Sequence, residues 1–494
     1  MALNIDVSEL EVPRLEMGNG AEYSDPRVGL LHAGPFSLRF GSAHKSEVRI
    51  GMVGSDDMLR LANNWITRCQ EPILTGRDNQ RMYLEFPGFT AAFRSTLVTT
   101  SSWQLDVSDQ LRTAFSKTGI ERFESVLAIF SEAVERLTKE FRLDVIMCCL
   151  SPEIVTTCGS VTRRLTRNER NRIGHTKRRQ DSAQLMLSPQ WEIEDTSEDL
   201  LERDFRRALK ARVMATSVPI QIATSKLFVD NFGDQDPATR AWNFTVALFY
   251  KAGGLPWRVR FIGPETCFIG ISFHHLRTTH RAIVYSGLAQ AFSSEGEGFA
   301  LRGNATLRPH QHERYPHLEA EQAQALGERV LREYQERTGR QPKRIVLHKT
   351  TRFDQGEREG LTKAFRQIPM SEFVNLAPSD FRLVQRSAYP PKRGTLCRVN
   401  DTAAYLFTSG FMTEWGTYPG VHVPVPVEID AGESADTVRL ATEVLGLARM
   451  NWNTAFDTTG APITLRFARQ IGGIMAEFGT ISTEEPQSSY RFYM

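Results

Sequence analysis

The sequence is poor in the spacings and runs that mark several common classes. Its six cysteines, Cys69, Cys148, Cys149, Cys158, Cys267 and Cys397, include no C-x-x-C pair, and two of them are adjacent inside the apolar run VIMCCL. That spacing points away from both a structural zinc and a disulfide framework. No stretch approaches the ~20 apolar residues of a membrane span. The first residues, MALNIDVSELEVPRLEMGNG, have neither a basic n-region nor an apolar h-region. The expectation is a cytoplasmic chain with reduced thiols and no membrane partner. Charge of one sign is also missing, since 60 Lys+Arg stand against 58 Asp+Glu for a net charge of +2. Any attraction to a polyanion must come from local clustering.

What is present is ordinary globular material: 494 residues, 41% hydrophobic and 24% charged. At roughly 100–200 residues per domain, this length suggests about two to four domains. Residues 1–115 mix short apolar alternations with turn signals, as in DPRVGLLHAGPF and LEFPGFTAAF, and read as an irregular, β-rich N-terminal segment. RFESVLAIFSEAVERLTKEF then spaces Phe123, Val126, Leu127, Phe130, Val134 and Leu137 as a helix, and LDVIMCCLSPEIV reads as a buried strand. SEDLLERDFRRALKARVMA reads as a helix, VPIQIAT as a strand and DPATRAWNFTVALFYKAGG as a helix. In the last, Asp236 is the N-cap, Pro237 the first helical residue and Gly253 the left-handed terminator.

Beyond LPWRVR the period changes. TCFIGISFHH, RAIVYSGLAQAF and GFALRGNA predict an antiparallel meander. A helix at LEAEQAQALGERVLREYQERTG, a strand at KRIVLHKT and a helix at GEREGLTKAFRQI follow. This βββαβα series predicts an RNase H-like mixed sheet. Strands at AAYLFTSG and HVPVPVEI and helices at SADTVRLATEVLGLARMN and PITLRFARQIGGIMAEF complete the pattern.

Three features could carry chemistry. VTRRLTRNERNRIGHTKRRQ, residues 161–180, is basic enough to contact phosphates through Arg163, Arg164, Arg167, Lys177, Arg178 and Arg179, and equally reads as a solvated loop. Arg206 and Lys210 share a helix face, Gln221 lies on the adjoining strand and Lys251 ends the next helix. Such a set suits a terminal phosphate, with the amide near a base, or is plain surface with Lys251 complementing a helix dipole. His310, His312 and His317 lie in RPHQHERYPH, where no carboxylate or cysteine completes a ligand set of known spacing.

The segments WNFTVALFYKAGGLPW, TCFIGISF, KRIVLHKTTRF, YPGVHVPVPVEI, ARMNWNTA and ITLRFARQIGGIM, in this order, resemble the MID and PIWI domains of short prokaryotic Argonautes. DPRVGLLHAGPF adds a weaker likeness. The resemblance implies a MID domain with a Rossmann-like open sheet over 116–262 and an RNase H-like PIWI domain with a mixed sheet over 263–494, the segment 1–115 packing on the MID lobe. It places the guide 5′-phosphate pocket on Arg206, Lys210, Gln221 and Lys251, with Arg206 an acceptable variant where relatives carry Tyr, His or Arg. It also puts Ser272 and Thr350 where active PIWI domains carry aspartates that hold two divalent ions. Hydroxyls are poor Mg²⁺ ligands, which implies an inactive PIWI domain with no catalytic metal or cofactor. A Mg²⁺ ion at the guide 5′-phosphate is the one ion the resemblance leaves room for. Its implied partners are a guide RNA, a single-stranded target DNA and an APAZ-containing effector of TIR or sirtuin-like type, or a nuclease in its place. The implied role is anti-phage or anti-plasmid defence, with a larger assembly on activation. Two other readings remain open: a guided endonuclease using Asp354 and Glu357 as displaced acids, and a simple basic RNA-binding protein.

Overall fold

The computed structural model describes residues 5–164, 200–230, 235–260, 265–277, 282–293, 298–302, 317–384, 390–399, 403–420, 422–432, 435–456, 460–466, 468–478 and 487–494. Arg167, Lys177, Arg178, Arg179, His310 and His312 lie outside these residues.

Apolar runs with no alternation build the first layer, an open sheet paired in parallel throughout. β4 (Glu47–Gly54) and β7 (Val145–Leu150) form its centre. β5 (Thr96–Val98) and β6 (Gln104–Asp106) lie beside β4, and β10 (Ile220–Thr224) is the edge strand beside β7. Successive side chains of a strand point to opposite faces, so Val145, Met147 and Cys149 enter one core while Ile146, Cys148 and Leu150 enter the other. The adjacent cysteines are therefore back to back, and all six thiols are buried and free. Helices α1 (Asp56–Arg68) and α4 (Pro237–Lys251) cover the first face, and α2 (Gly119–Glu140) and α3 (Phe205–Arg212) cover the second. The caps of α4 are as expected: the Asp236 carboxylate accepts from Thr239 N at 3.0 Å, and Gly253 has φ +97°.

Two expectations are corrected. Residues 1–115 are not an irregular β-rich appendage, because they supply the central strand β4 and helix α1, and the expected boundary at 115/116 runs through a single sheet. The segment read as one helix over 197–215 instead begins as β9 (Leu200–Asp204), which pairs antiparallel with β8 (Ser160–Arg164). Only from Phe205 is it helical, because the Asp204 carboxylate accepts from Arg207 N at 3.0 Å and caps α3 there.

The second layer is a mixed sheet of nine strands. Its order is β1 (Ile5–Glu9), β17 (Thr395–Val399), β18 (Ala403–Leu406), β19 (Val427–Asp430), β16 (Met370–Pro378), β15 (Arg344–Lys349), β12 (Thr266–Arg277), β13 (Ala282–Ser293) and β14 (Gly298–Arg302). The expected meander is β12–β13–β14, while β12, β15 and β16 run parallel. Helices α5 (Ala320–Thr338) and α6 (Gln355–Ala364) pack on one face. α7 (Thr437–Leu447), α8 (Ile463–Arg466) and α9 (Ala468–Phe478) pack on the other. α8 sits so close to β12 that a Cβ at Gly270 would lie 1.9 Å from the Thr464 carbonyl oxygen, so only glycine fits there. Leu15–Glu16 (β2), Glu22–Tyr23 (β3) and Arg258–Val259 (β11) form a small third sheet. One apolar core, running from α1 and α4 to α7 and α9, binds the two layers together. Among the described residues no helix is long and apolar enough to cross a membrane.

Candidate functional site

The open edge of the parallel sheet at β10 gathers the four residues read from the sequence. α3 brings Arg206 and Lys210 past this edge on one helix face, β10 carries Gln221, and the last turn of α4 delivers Lys251. Lys251 is buried, and its ammonium donates to the Gln221 side-chain oxygen at 2.7 Å and to the Ile220 carbonyl at 3.1 Å. Gln221 donates its own N–H to the Ile222 carbonyl at 3.1 Å, so both ends of the amide are engaged and it positions Lys251. Lys210 donates to the main-chain oxygens of Met494 at 2.5 Å and Tyr493 at 3.3 Å. Arg206 is exposed at the rim.

Among the described residues neither ammonium makes an ion pair with an Asp or Glu side chain, and the consequence is electrostatic. Burial pushes the Lys210 ammonium down to about 8, helped by the Arg206 guanidinium and opposed by Asp204. Burial, and then the neighbouring Lys210, push Lys251 well below the usual lysine range. Two ammonium groups set together here, with no Asp or Glu side chain among the described residues bonded to either, form a site that suits an anion.

Sequence reasoning missed two components. The main-chain oxygens of Tyr493 and Met494 carry no residue-type signal. The other is Arg203, which precedes the cap of α3: it is 3% exposed, lies over the Phe123 ring and pairs with Glu477 at 2.8 Å and with Glu124. It ties α3 to α2 and α9 directly behind the pocket. Arg163 and Arg164 fall on β8, opposite Leu201 and Leu200 of β9, in the two-stranded ribbon that leads into α3.

In the mixed sheet Ile271 of β12 pairs with Lys349 of β15, so Ser272 and Thr350 occupy the next register positions of adjacent strands. The Ser272 hydroxyl is buried without a hydrogen-bond partner among the described residues. His348 lies one step back on the same face, fully buried, with Nδ1 2.9 Å from the Thr464 hydroxyl; burial pushes its imidazole down to about 3. Asp354 and Glu357 lie on the opposite side of the sheet. The Lys349 ammonium, 5.1 Å from the Phe273 ring centre, is 2.7 and 2.6 Å from the two Glu357 oxygens. These oxygens also accept from Leu318 N at 3.0 Å and Asp354 N at 3.2 Å. His317, Asp354 and Glu357 lie close enough to share an ion, but the Lys349 ammonium already sits on the Glu357 carboxylate.

No family model and no curated protein matches the sequence. Solved structures do match the fold. The Argonaute of Clostridium butyricum, bound to a guide DNA with a 5′ deoxycytidine and a 19-mer target DNA, gives a TM-score of 0.60 at 15% identity over 96% of this chain and 53% of its own. Aa-Ago with externally bound siRNA gives 0.56 at 13% identity over 99% and 56%. A. aeolicus Argonaute gives 0.55 at 12% identity over 98% and 55%. The chain spans about half the length of these neighbours. It therefore has an Argonaute-like α/β fold, with the open sheet of a MID layer and the mixed sheet of a PIWI layer.

Proposed function

We propose that the pocket at the β10 edge holds the 5′-phosphate of a nucleic-acid strand that serves as a guide, RNA in this reading, for pairing with a single-stranded DNA target. The observation that carries this is that buried Lys251 and half-buried Lys210 meet no Asp or Glu side chain among the described residues. A terminal phosphate supplies the missing charge, and each ammonium then makes charge-assisted hydrogen bonds to it. Base pairing provides the specificity, while the protein reads backbone and duplex shape. The fold neighbour whose structure is bound to guide and target DNA supports the reading and makes a DNA guide the alternative outcome of the test. In this reading a Mg²⁺ ion bound together with the phosphate would draw on the oxygens of Gln221 and Met494, which here accept from Lys251 and Lys210.

In this reading the mixed sheet is not a nuclease. Ser272 and Thr350 offer hydroxyls where two-metal cleavage needs carboxylates. Glu357 is fully engaged by Lys349 on the other face, and Asp354 caps α6, which leaves neither as a displaced acid. Recognition without chemistry requires a second protein, here an APAZ-containing effector of TIR or sirtuin-like type whose NAD consumption serves defence. A permanent complex of this kind buries well above ~1,200 Å².

Nucleic acid extracted from the purified protein should consist of short strands with 5′-phosphates. Lys210→Ala/Lys251→Ala should abolish the preference for 5′-phosphate over 5′-hydroxyl strands, and an unchanged preference would overturn the pocket. NAD loss by the co-expressed pair should require guide and complementary target together. Loss with guide alone would end the sensing model, and DNA degradation with NAD spared would transfer the effector role to a nuclease.

A further inference from the structure

A second nucleic-acid feature lies along α4 from the phosphate pocket. The segment 450–456 follows this helix. Trp452 stacks on Tyr250, one residue before Lys251, with ring centres 4.6 Å apart. Further along, Asn243 of α4 accepts from the Thr454 hydroxyl at 2.6 Å, Ala455 N at 3.0 Å and Phe456 N at 3.2 Å. Asn243 is eight residues from Lys251, about 12 Å along the helix at 1.5 Å per residue. A stacked strand covers that distance in about three to four nucleotides at ~3.4 Å each.

At Phe456 begins a ladder of rings drawn from three separate loops. Trp415 stacks on Phe456 at 4.7 Å with 5° between planes, and Tyr83 lies near-parallel to Phe456 at 6.2 Å and 17°. The ladder is held rigid from inside. Arg27, fully buried, sits 5.2 Å from the Trp415 ring and 5.4 Å from the Phe456 ring and donates to the Met82 carbonyl at 2.7 Å. Asp25 pairs with Arg27 at 2.7 Å and accepts from the Trp415 indole at 2.7 Å. The outer end is the opposite in character. Tyr83 is half-buried, and exposed Arg77 stands 5.9 Å from its ring centre. Neither the Arg77 guanidinium nor the Tyr83 hydroxyl bonds to any described residue.

We propose that the gap between Tyr83 and Arg77 is a base-stacking subsite for an unpaired nucleobase of the strand whose phosphate lies in the pocket. Two stacking layers need ~6.8 Å, twice the ~3.4 Å base spacing. The 5.9 Å between guanidinium and ring therefore opens to admit a base when one flexible side chain moves by about 1 Å. The base lies on the phenol ring, the guanidinium covers its other face, and the free hydroxyl and N–H groups face its edge and the adjoining phosphate. Stacking of this kind accepts any base.

The inference rests on the guide-binding reading, and the test separates the two. A 5′-phosphorylated single strand carrying 2-aminopurine at successive positions is titrated with the protein, and the same strand with a 5′-hydroxyl serves as control. One position should be strongly quenched in the parent. Tyr83→Ala and Arg77→Ala should each remove that quenching and weaken binding, Tyr83→Ala by about 5- to 100-fold. Tyr83→Phe and Tyr83→Trp should keep the quenching, and the 5′-phosphate preference should survive in all four. Arg77 is exposed, so its variant stays informative even if Tyr83→Ala unfolds. A quenching profile identical in the parent and Arg77→Ala would overturn the subsite. Loss of the 5′-phosphate preference in the parent would instead overturn the guide pocket, and stacking would then be read on the 5′-hydroxyl strand alone.

Discussion

Two strands, β15 of the mixed sheet and β10 at the edge of the parallel sheet, keep their buried cations in opposite ways. On β15 both are matched to carboxylate: Lys349 to Glu357 at 2.6 Å, and Arg344 to Glu443 at 2.6 Å and to Glu372 at 2.5 Å. At the β10 edge Lys210 and Lys251 bond to main-chain and amide oxygens and to no Asp or Glu side chain among the described residues, and the Lys210 charge depresses Lys251. A matched cation is finished as a structural element. An unmatched one stores an electrostatic cost that a ligand of opposite charge can relieve, and this asymmetry separates a binding site from scaffold within one chain.

Substitutions should break the comparison in a graded order. The largest effect is expected at Glu357→Gln, which strands the Lys349 ammonium in the core. It should lower stability by about 3–5 kcal/mol in urea unfolding and leave the 5′-phosphate preference untouched. Pairing it as Lys349→Met/Glu357→Leu should recover most of the loss, and no recovery would mean the pair does more than balance charge. Next, Lys251→Met should weaken binding of 5′-phosphorylated strands by about 1.5–3 kcal/mol, the worth of a charged hydrogen bond, while stability stays level or rises. A matching drop in stability would place Lys251 with the scaffold.

A smaller effect is expected from pH. Lys210 titrates in the free protein at about 8, against 10.5 for an ordinary lysine. Phosphate binding needs the charged form, so the 5′-phosphate preference should fall as pH rises through about 8. Stability should move the other way. Between about 8 and 10.5 the unfolded chain holds a proton that the folded chain has released, so unfolding becomes harder as pH rises. Parallel titration of binding and of thermal midpoint checks both signs. The smallest effect should come from Thr350→Ala, within about 0.5 kcal/mol of the parent in stability, and from Ser272→Ala, which removes an unpartnered buried hydroxyl and should leave stability level or raised; both should equal the parent in strand binding. Metal-dependent cleavage lost in either variant would contradict the inert reading of that sheet.

Much of the fold was legible because local patterns coincide with tertiary ones. The β7 run, the meander and the doubly capped α4 all follow from periodicity and capping residues. α1 carried its own signal, with Met58, Leu59, Ala62, Trp65 and Ile66 buried at helical spacing. Turn-rich neighbours on either side hid it, and with it the partnership of β4 and β7. β9 was not legible, since its strand character comes from pairing with β8 across the intervening 165–199. Arg206, Lys210, Gln221 and Lys251 were assembled from an i, i+4 spacing and a family resemblance. The two main-chain oxygens that complete their pocket have no signature in any residue type. Asp354 and Glu357, left open in the sequence as displaced acids, form a D-x-x-E capping box at the start of α6.

The pairing of β1 with β17 bears on the order of biosynthesis. Asp6 and Arg398 pair across 392 residues, so β1 has no neighbour until β17 has been made. At about 5–20 residues per second it waits roughly 20–80 s, with its hydrogen-bonding groups and Ile5 and Val7 uncovered. The parallel sheet can close earlier, around β4, β7 and β10, whereas the mixed sheet cannot be completed until β17, β18 and β19 have been made. Slow translation would lengthen the interval in which that first strand is free to pair with another nascent chain.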